Sequence, residues 1–326
     1  MTSMDLSIVI SCSRPDKLLI CLSGFKNQNT DFDFEVIAVG DVPDAALGCP
    51  FPCVLLPLAN PHANARRNRG IAQAQATRIA LMDDDCVPEP DWVNEAVQSS
   101  AASGVIITGR ELAYAENRFS QITHAALSCS FIEINSGHLN RKAQQVKWYE
   151  VVFCNCIIPR DLLVKNPLRE TIPWDMDDFH FCHSVRKEYV FYNNPGLVVK
   201  HDRYPGSFRN FVRYKWHLRV RTGQKIITHP RIYLRIPGVA LSALVLPLSL
   251  IAALLTALAP FVMAVVLLLY VMLAFVCSFY QCRRFGISGV GQGILIFLTV
   301  HLLTASAVQC GMLMALKSKF KPGMRA

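Results

Sequence analysis

Short apolar runs alternate with segments of helical spacing up to about residue 230, and a different pattern takes over after Arg235. Leu6-Ser7-Ile8-Val9-Ile10 predicts a buried strand, followed by the loop Ser11-Cys12-Ser13-Arg14-Pro15. Apolar residues between Asp16 and Asn27 recur at helical spacing. Phe34-Glu35-Val36-Ile37-Ala38-Val39 predicts a second strand ending at Gly40-Asp41, and Val54 to Leu58 a third. Asn64 to Gln75, rich in Ala, Arg and Gln, predicts a helix. Ile79-Ala80-Leu81-Met82 predicts a fourth strand, and Pro90-Asp91-Trp92 the start of a helix. Val105 to Gly109 and Val151 to Pro159 read as extended, with Arg160-Asp161-Leu162-Leu163 opening a short helix. Glu111 to Lys147 shows no decisive period. Asp178 to Arg186 reads as helix, and Val190-Phe191-Tyr192 and Leu197-Val198-Val199 as two strands flanking Asn193-Asn194-Pro195-Gly196. Strands alternating with helices predict an α/β fold with a mostly parallel sheet, which binds ligands at the carboxyl ends of its strands.

The fourth strand runs directly into Asp83-Asp84-Asp85. Adjacent carboxylates repel one another and are tolerable where water, a cation or basic groups meet them. Hard oxygen ligands suit Mg²⁺ or Mn²⁺, and a metal held by one or two carboxylates commonly grips a phosphate as well. The competing reading is a solvated acidic turn that caps the next helix. Arg14, Asp41 and the three aspartates all follow strands, which places them on one sheet edge. Trp174-Asp175-Met176-Asp177-Asp178-Phe179 is a second acidic cluster. Asp177 and Asp178 fall at a helix N-terminus, where the dipole and free N–H groups stabilise carboxylates. Asp is also a common helix cap.

Pro237 to Phe279 contains no charged residue, and a bilayer span needs about 20 apolar residues. The segment is long enough for a helical hairpin turning at Ala259-Pro260, and a further uncharged segment follows from Ile287 to Leu316. The chain therefore divides into a mixed domain over residues 1–230 and a membrane domain over 236–326, joined by a basic juxtamembrane segment, 206–235. The net charge of +9 gathers beside the apolar runs, from Arg203 to Arg235 and at Arg283-Arg284. The positive-inside bias puts both flanks of the hairpin in the cytoplasm. A third crossing would put the basic tail outside, so two and three crossings both remain. Cations beside a span fit anionic headgroups better than nucleic acid. Met1 to Ile10 does not read as a cleavable signal, having an acidic residue and only a short apolar run. The twelve cysteines lack metal-finger spacing and read as reduced thiols.

Ser7-Ile8-Val9-Ile10 with Arg14-Pro15, Phe34-Glu35-Val36-Ile37, Arg67-Asn68-Arg69-Gly70, and Leu81-Met82-Asp83-Asp84-Asp85 with Pro88 resemble the nucleotide-binding half of family-two glycosyltransferases. Asp177-Asp178 followed by Arg186, and Tyr192-x-x-Pro195 to His201, resemble their acceptor-side acidic motif and closing strand. The resemblance covers about residues 4–225 through the order and spacing of its motifs. It implies a GT-A fold, Rossmann-like, with a nucleotide-sugar half over 4–110 and an acceptor half over 111–205, followed by C-terminal transmembrane helices. It also implies a nucleotide-sugar donor, a UDP-sugar first, and inversion at the anomeric carbon. On this resemblance Asp85 is the direct ligand of Mn²⁺ or Mg²⁺, with Asp83 nearer the ribose. His201 completes the metal site or contacts phosphate. Ser11, Arg14, Asp41, Arg67, Asn68, Asp83 and Asp84 face the donor. Asp178 is the general base, with Asp177 its competitor, and Trp174 and Asp177 lie on the acceptor side.

Some positions depart from the family pattern. One acidic residue, Asp41, follows Gly40 where relatives often carry two, which weakens the case for uridine recognition. His180 stands where relatives are often acidic. Val212-Arg213-Tyr214-Lys215-Trp216 lacks the Gln-x-x-Arg-Trp pattern of processive synthases, which implies addition of one sugar or a few. The implied protein is a multi-pass enzyme of the bacterial inner membrane with its catalytic domain in the cytoplasm. It would act in surface polysaccharide or glycolipid synthesis on a lipid-linked or saccharide acceptor, with no nucleic-acid partner. A nucleotidyltransferase is the first alternative, although Ser11 to Pro15 has no glycine. A non-catalytic scaffold is the second, and the two intact acidic clusters speak against it.

Overall fold

All seven residues of β1 (Leu6–Cys12) are buried, because both of its faces are covered. Leu6, Ile8 and Ile10 pack on one face with Leu18, Leu22 and Phe25 of α1 (Pro15–Lys26). Val9 packs on the other with Ile71 of α2 (Ala63–Gln73). The alternation follows from the two-residue period of a strand. The computed structural model describes residues 4–43, 48–60, 62–99, 104–114, 118–127, 142–171, 177–202, 207–244, 251, 254, 260–284 and 290–319.

Two compact units make up the chain. The first comprises Met1–Tyr114 and Gly137–Arg203, the second Ala115–Ser136 and Tyr204–Ala326. In the first unit β1 pairs in parallel with β2 (Phe34–Gly40) and with β4 (Arg78–Asp83), and β2 in parallel with β3 (Cys53–Pro57). The remaining strands are β5 (Cys86–Pro88), β6 (Val105–Ala113), β7 (Gln144–Gln145), β8 (Asn155–Pro159) and β9 (Val190–His201). The sheet order is β3-β2-β1-β4-β8-β6-β9-β5, with β7 beside β9. β8 runs antiparallel to both β4 and β6. Helices α3 (Trp92–Ser99), α5 (Arg160–Lys165) and α6 (Asp177–Val185) cover the sheet, Trp92 joining the first core face and Leu162 and Phe181 the second. The α/β, GT-A-like expectation holds, but the sheet is mixed rather than mostly parallel, because β5, β7 and β8 each pair antiparallel with their neighbours.

The two strands expected around Asn193-Asn194-Pro195-Gly196 are one continuous strand, β9. Its parallel pairing with β6 shifts register between Thr108 and Arg110, and this irregularity absorbs the proline and glycine. Gly109 makes the shift possible: a Cβ there would stand 2.1 Å from the Leu197 carbonyl oxygen and 2.4 Å from Asn155 Nδ2. Asn155 is fully buried and cannot retreat, since its amide donates to the Arg110 and Leu197 carbonyls while its oxygen accepts from Trp92 Nε1. Gly109→Ala is expected to cost about 1–3 kcal/mol through overpacking, read as a lower unfolding midpoint.

In the second unit, α4 (Arg118–Leu127) and α7 (Phe208–Thr228) contribute Ile122, Ala126 and Phe211 to a core with Ile296 and Val300. Two described helices are long and apolar enough to cross a membrane, Pro260–Tyr280 and Val290–Lys317; the first is 12% buried and the second 53%. Pro260 opens a helix, consistent with its fixed φ. Ala259 and much of the expected first arm of the hairpin lie outside the described residues.

Candidate active site

The neighbouring strands β1 and β4 bring Ser11 and Asp83 opposite one another at their carboxyl ends. Asp41 follows β2 at the same edge and is exposed; its N–H donates to the Cys12 carbonyl at 3.1 Å. After Asp83 the chain turns at Asp84-Asp85 into β5, and Cys86 pairs with His201 of β9. The Asp202 N–H donates to the Asp85 carbonyl at 3.0 Å. A tight turn and one antiparallel pairing therefore carry Asp85 to the end of β9.

Asp83, Asp85 and His201 each offer a ligand atom, all within 4.8 Å of one another. His201 Nε2 lies 3.2 Å from Asp85 Oδ1, and Arg14 Nη2 lies 2.9 Å from Asp85 Oδ2. Burial alone would raise the Asp85 carboxyl, but His201 and Arg14 outweigh it and hold its pKa at about 2. Burial also opposes charge on His201, yet Asp85 keeps its pKa well above the ordinary imidazole value. The depressed carboxyl contributes stability above the ordinary carboxylate range and loses it as pH falls toward 2. Unfolding titrations are accordingly expected to show a smaller stability loss between about pH 4 and 2 in Asp85→Asn than in the wild type.

Asp84 has a different job. Its Oδ2 accepts from the Ser13 N–H at 2.7 Å and the Arg14 N–H at 2.8 Å, and its Oδ1 from Arg14 Nη2 at 2.5 Å. Both oxygens tie down the loop at the α1 N-terminus, so Asp84 shapes that loop. Asn68 accepts from the Leu168 N–H at 3.0 Å and donates to the Leu168 carbonyl at 2.8 Å, holding the chain after α5.

Arg67 is buried and joins the two acidic clusters. Its Nη2 donates to Asp83 Oδ1 at 2.8 Å, and its Nη1 makes an ion pair with Asp177 Oδ2. The guanidinium carbon stands 5.3 Å from the Phe153 ring centroid. Burial, reinforced by Asp83, pushes the Asp177 carboxyl up to about 6 against the pull of Arg67. Asp178 is only half-buried, and its Oδ1 accepts from the Phe179 N–H at 2.8 Å. Of the two aspartates at the start of α6, Asp177 is thus committed to Arg67 and Asp178 is the accessible one. Trp174 lies outside the described residues. Arg67→Ala strands two carboxylates without their cation and is expected to destabilise the fold by about 3–5 kcal/mol, measurable by chemical denaturation.

Two participants escape sequence reading. Arg66 is buried and donates from Nε to Ser11 Oγ at 2.9 Å and from Nη1 to the Asn60 carbonyl at 2.6 Å. Within Arg66-Arg67-Asn68-Arg69, successive residues are about 100° apart on a helix, and spacing alone does not say which turn inward. Glu111 is buried with its Oε2 2.8 Å from His201 Nδ1. Its only signal was a lone acid at the end of an apolar strand pattern.

Residues 7–165 match the family model described as glycosyl transferase family 2. The chain carries a family 2 glycosyltransferase domain. The match contains Ser11, Arg14, Asp41, Arg67, Asn68 and Asp83 to Asp85, and it ends before Asp177, Asp178 and His201. A solved mannosyltransferase, PcManGT from Pyrobaculum calidifontis in complex with GDP-Man and Mn²⁺, is 13% identical. The alignment covers 97% of this chain and 88% of that one with a TM-score of 0.57, a likeness of fold. Residues 1–349 of S. aureus TarS in complex with UDP are 12% identical, with 99% and 93% of the two chains covered and a TM-score of 0.47. No curated protein matches. With the family domain present, a glycosyltransferase takes the place of the nucleotidyltransferase alternative.

A metal fits the glycosyltransferase's donor set. Two carboxylates and an imidazole gather at one point, and the Arg14 and Arg67 guanidiniums already lie against those carboxylates. Oxygen donors with one imidazole suit Mn²⁺, and oxygen donors suit Mg²⁺.

Proposed function

We propose that this glycosyltransferase is attached to a membrane and moves a sugar, with inversion, from a nucleotide-sugar donor to a hydroxyl of a lipid-linked or saccharide acceptor. The observation that carries this reading is the Asp83, Asp85 and His201 cluster at the carboxyl edge of the sheet. Asp83, Asp85 and His201 would hold Mn²⁺ or Mg²⁺, which neutralises charge on a departing diphosphate. Ser11, Arg14 and Asp41 line the donor side of that edge. Asp178 takes the proton of the acceptor hydroxyl as its oxygen bonds to the anomeric carbon and the nucleoside diphosphate leaves from the opposite face. Arg67 links Asp83 to Asp177, and so sets the start of α6, including Asp178, against the metal-binding edge.

A UDP-sugar is the first donor to test, and the GDP-Man held by PcManGT makes GDP-sugars the second. Attachment rests on the helix beginning at Pro260, where Phe261 is 80% exposed and Leu267 62%. Cations from Arg203 to Arg235 fit the cytoplasmic face of a bacterial inner membrane, where a surface polysaccharide or glycolipid precursor would be met. The full chain, solubilised in detergent, is expected to release nucleotide from one member of a UDP-, GDP- and dTDP-sugar panel. Release should require Mn²⁺ or Mg²⁺ and lipid extract as acceptor. Neither binding nor release from any donor would overturn the proposal.

A further inference from the structure

We propose that Glu111 is the positioning residue that fixes the ring of His201, so that Nε2 faces Asp85 and the metal. The inference rests on the reading of His201 as a metal ligand and extends it to a residue behind the site.

Glu111 is 2% exposed, and a buried carboxylate is costly unless hydrogen bonds satisfy it. Its Oε2 lies 2.8 Å from His201 Nδ1, and its Oε1 accepts from Cys154 Sγ at 3.2 Å. A carboxylate at Nδ1 holds the proton on that nitrogen. The other nitrogen, Nε2, stands 3.2 Å from Asp85 Oδ1 and within the Asp83–Asp85–His201 cluster. A carboxylate behind a ligating histidine fixes the ring's orientation and raises its basicity.

The backbone shows how this contact is built. Glu111 pairs with Val199 and Ala113 with His201, so the two polar side chains share one face of the sheet. Before Gly109 the same strands pair in a register that differs by an odd number of residues. Continuing that earlier register would turn Glu111 and His201 to opposite faces. The irregularity at Gly109 therefore creates the pair.

Mn²⁺ titrated into the full-length protein, with free ion counted by electron paramagnetic resonance, tests the proposal. Glu111→Leu is expected to weaken Mn²⁺ binding about 10–100-fold. Glu111→Gln, whose amide oxygen still accepts from Nδ1, should stay near wild type. In a His201→Ala background, Glu111→Leu should cause no further loss, since the residue acts through the ring. Should Glu111→Leu not fold, Glu111→Asp carries the same comparison, its carboxylate falling one methylene short of Nδ1. Wild-type affinity in the leucine or aspartate variant, or an equal loss with and without His201, overturns the positioning role. Unchanged Mn²⁺ binding in His201→Ala alone instead overturns the metal-ligand reading on which it rests.

Discussion

Asp178→Asn is expected to lower turnover about 10²–10⁴-fold while leaving the donor dissociation constant unchanged, since general-base catalysis contributes on that scale. The amide keeps an oxygen to accept from the Phe179 N–H, so the start of α6 survives the substitution. What disappears is the capacity to take a proton. The neighbouring substitution separates the two aspartates. Asp177→Asn removes the charge paired with Arg67 in a buried position and should act on stability as well as on rate. Turnover measured with saturating donor and acceptor, beside calorimetric donor binding, distinguishes these outcomes. Near-normal transfer by Asp178→Asn would move the base to another residue. A pure turnover loss in Asp177→Asn, with unchanged stability, would identify Asp177 as that residue.

The second large effect is expected at Asp85. Asp85→Asn should abolish the Mn²⁺-dependent part of donor binding, so that affinities measured with and without the ion converge. Even residues behind a metal ligand cost about 10–100-fold in affinity, which sets the lower bound for a direct ligand. The physical reason lies in the charge balance around this carboxylate. His201 and Arg14 both lean on Asp85 and keep it ionised despite burial. An amide offers one weak acceptor oxygen and no charge, and leaves Arg14 and His201 without the anion they both lie against. Metal-dependent donor binding that persists in this variant would shift the ligand role to Asp83 and His201.

The strands that build the site were legible because their information is local. Ile79 to Met82 is an apolar run that ends in charge, and a buried strand can end in charge only at a sheet edge. The same argument found β1 and β2, which pair as neighbours and are followed by Arg14 and Asp41. Asp177 and Asp178 were placed at a helix start by similar reasoning, and α6 begins at Asp177. Local reasoning did not reveal which side chains also hold loops. Asp84 secures the β1–α1 loop and Asn68 the chain after α5. Within Asp83-Asp84-Asp85, alternation cannot choose among residues of a turn, since a turn has no period. Asn193-Asn194-Pro195-Gly196 looked like a break because proline and glycine usually interrupt strands, and it is accommodated inside β9 by the register shift opposite.

The sequence by itself determined the α/β alternation, the acidic strand end, the acidic helix start and the apolar C-terminal segments, because each depends on neighbours a few positions apart. Only the tertiary structure decided which of these charges meet. Arg67 joins Asp83 to Asp177, and Glu111 reaches Asp85 through His201, across long stretches of chain. The contacts of His201 with Glu111 and Asp85 depend on the pairing of β5 and β6 with β9 and on a one-sided slip at Gly109. Strand register is set by the packing of both faces at once, a property of the assembled sheet that no single segment carries.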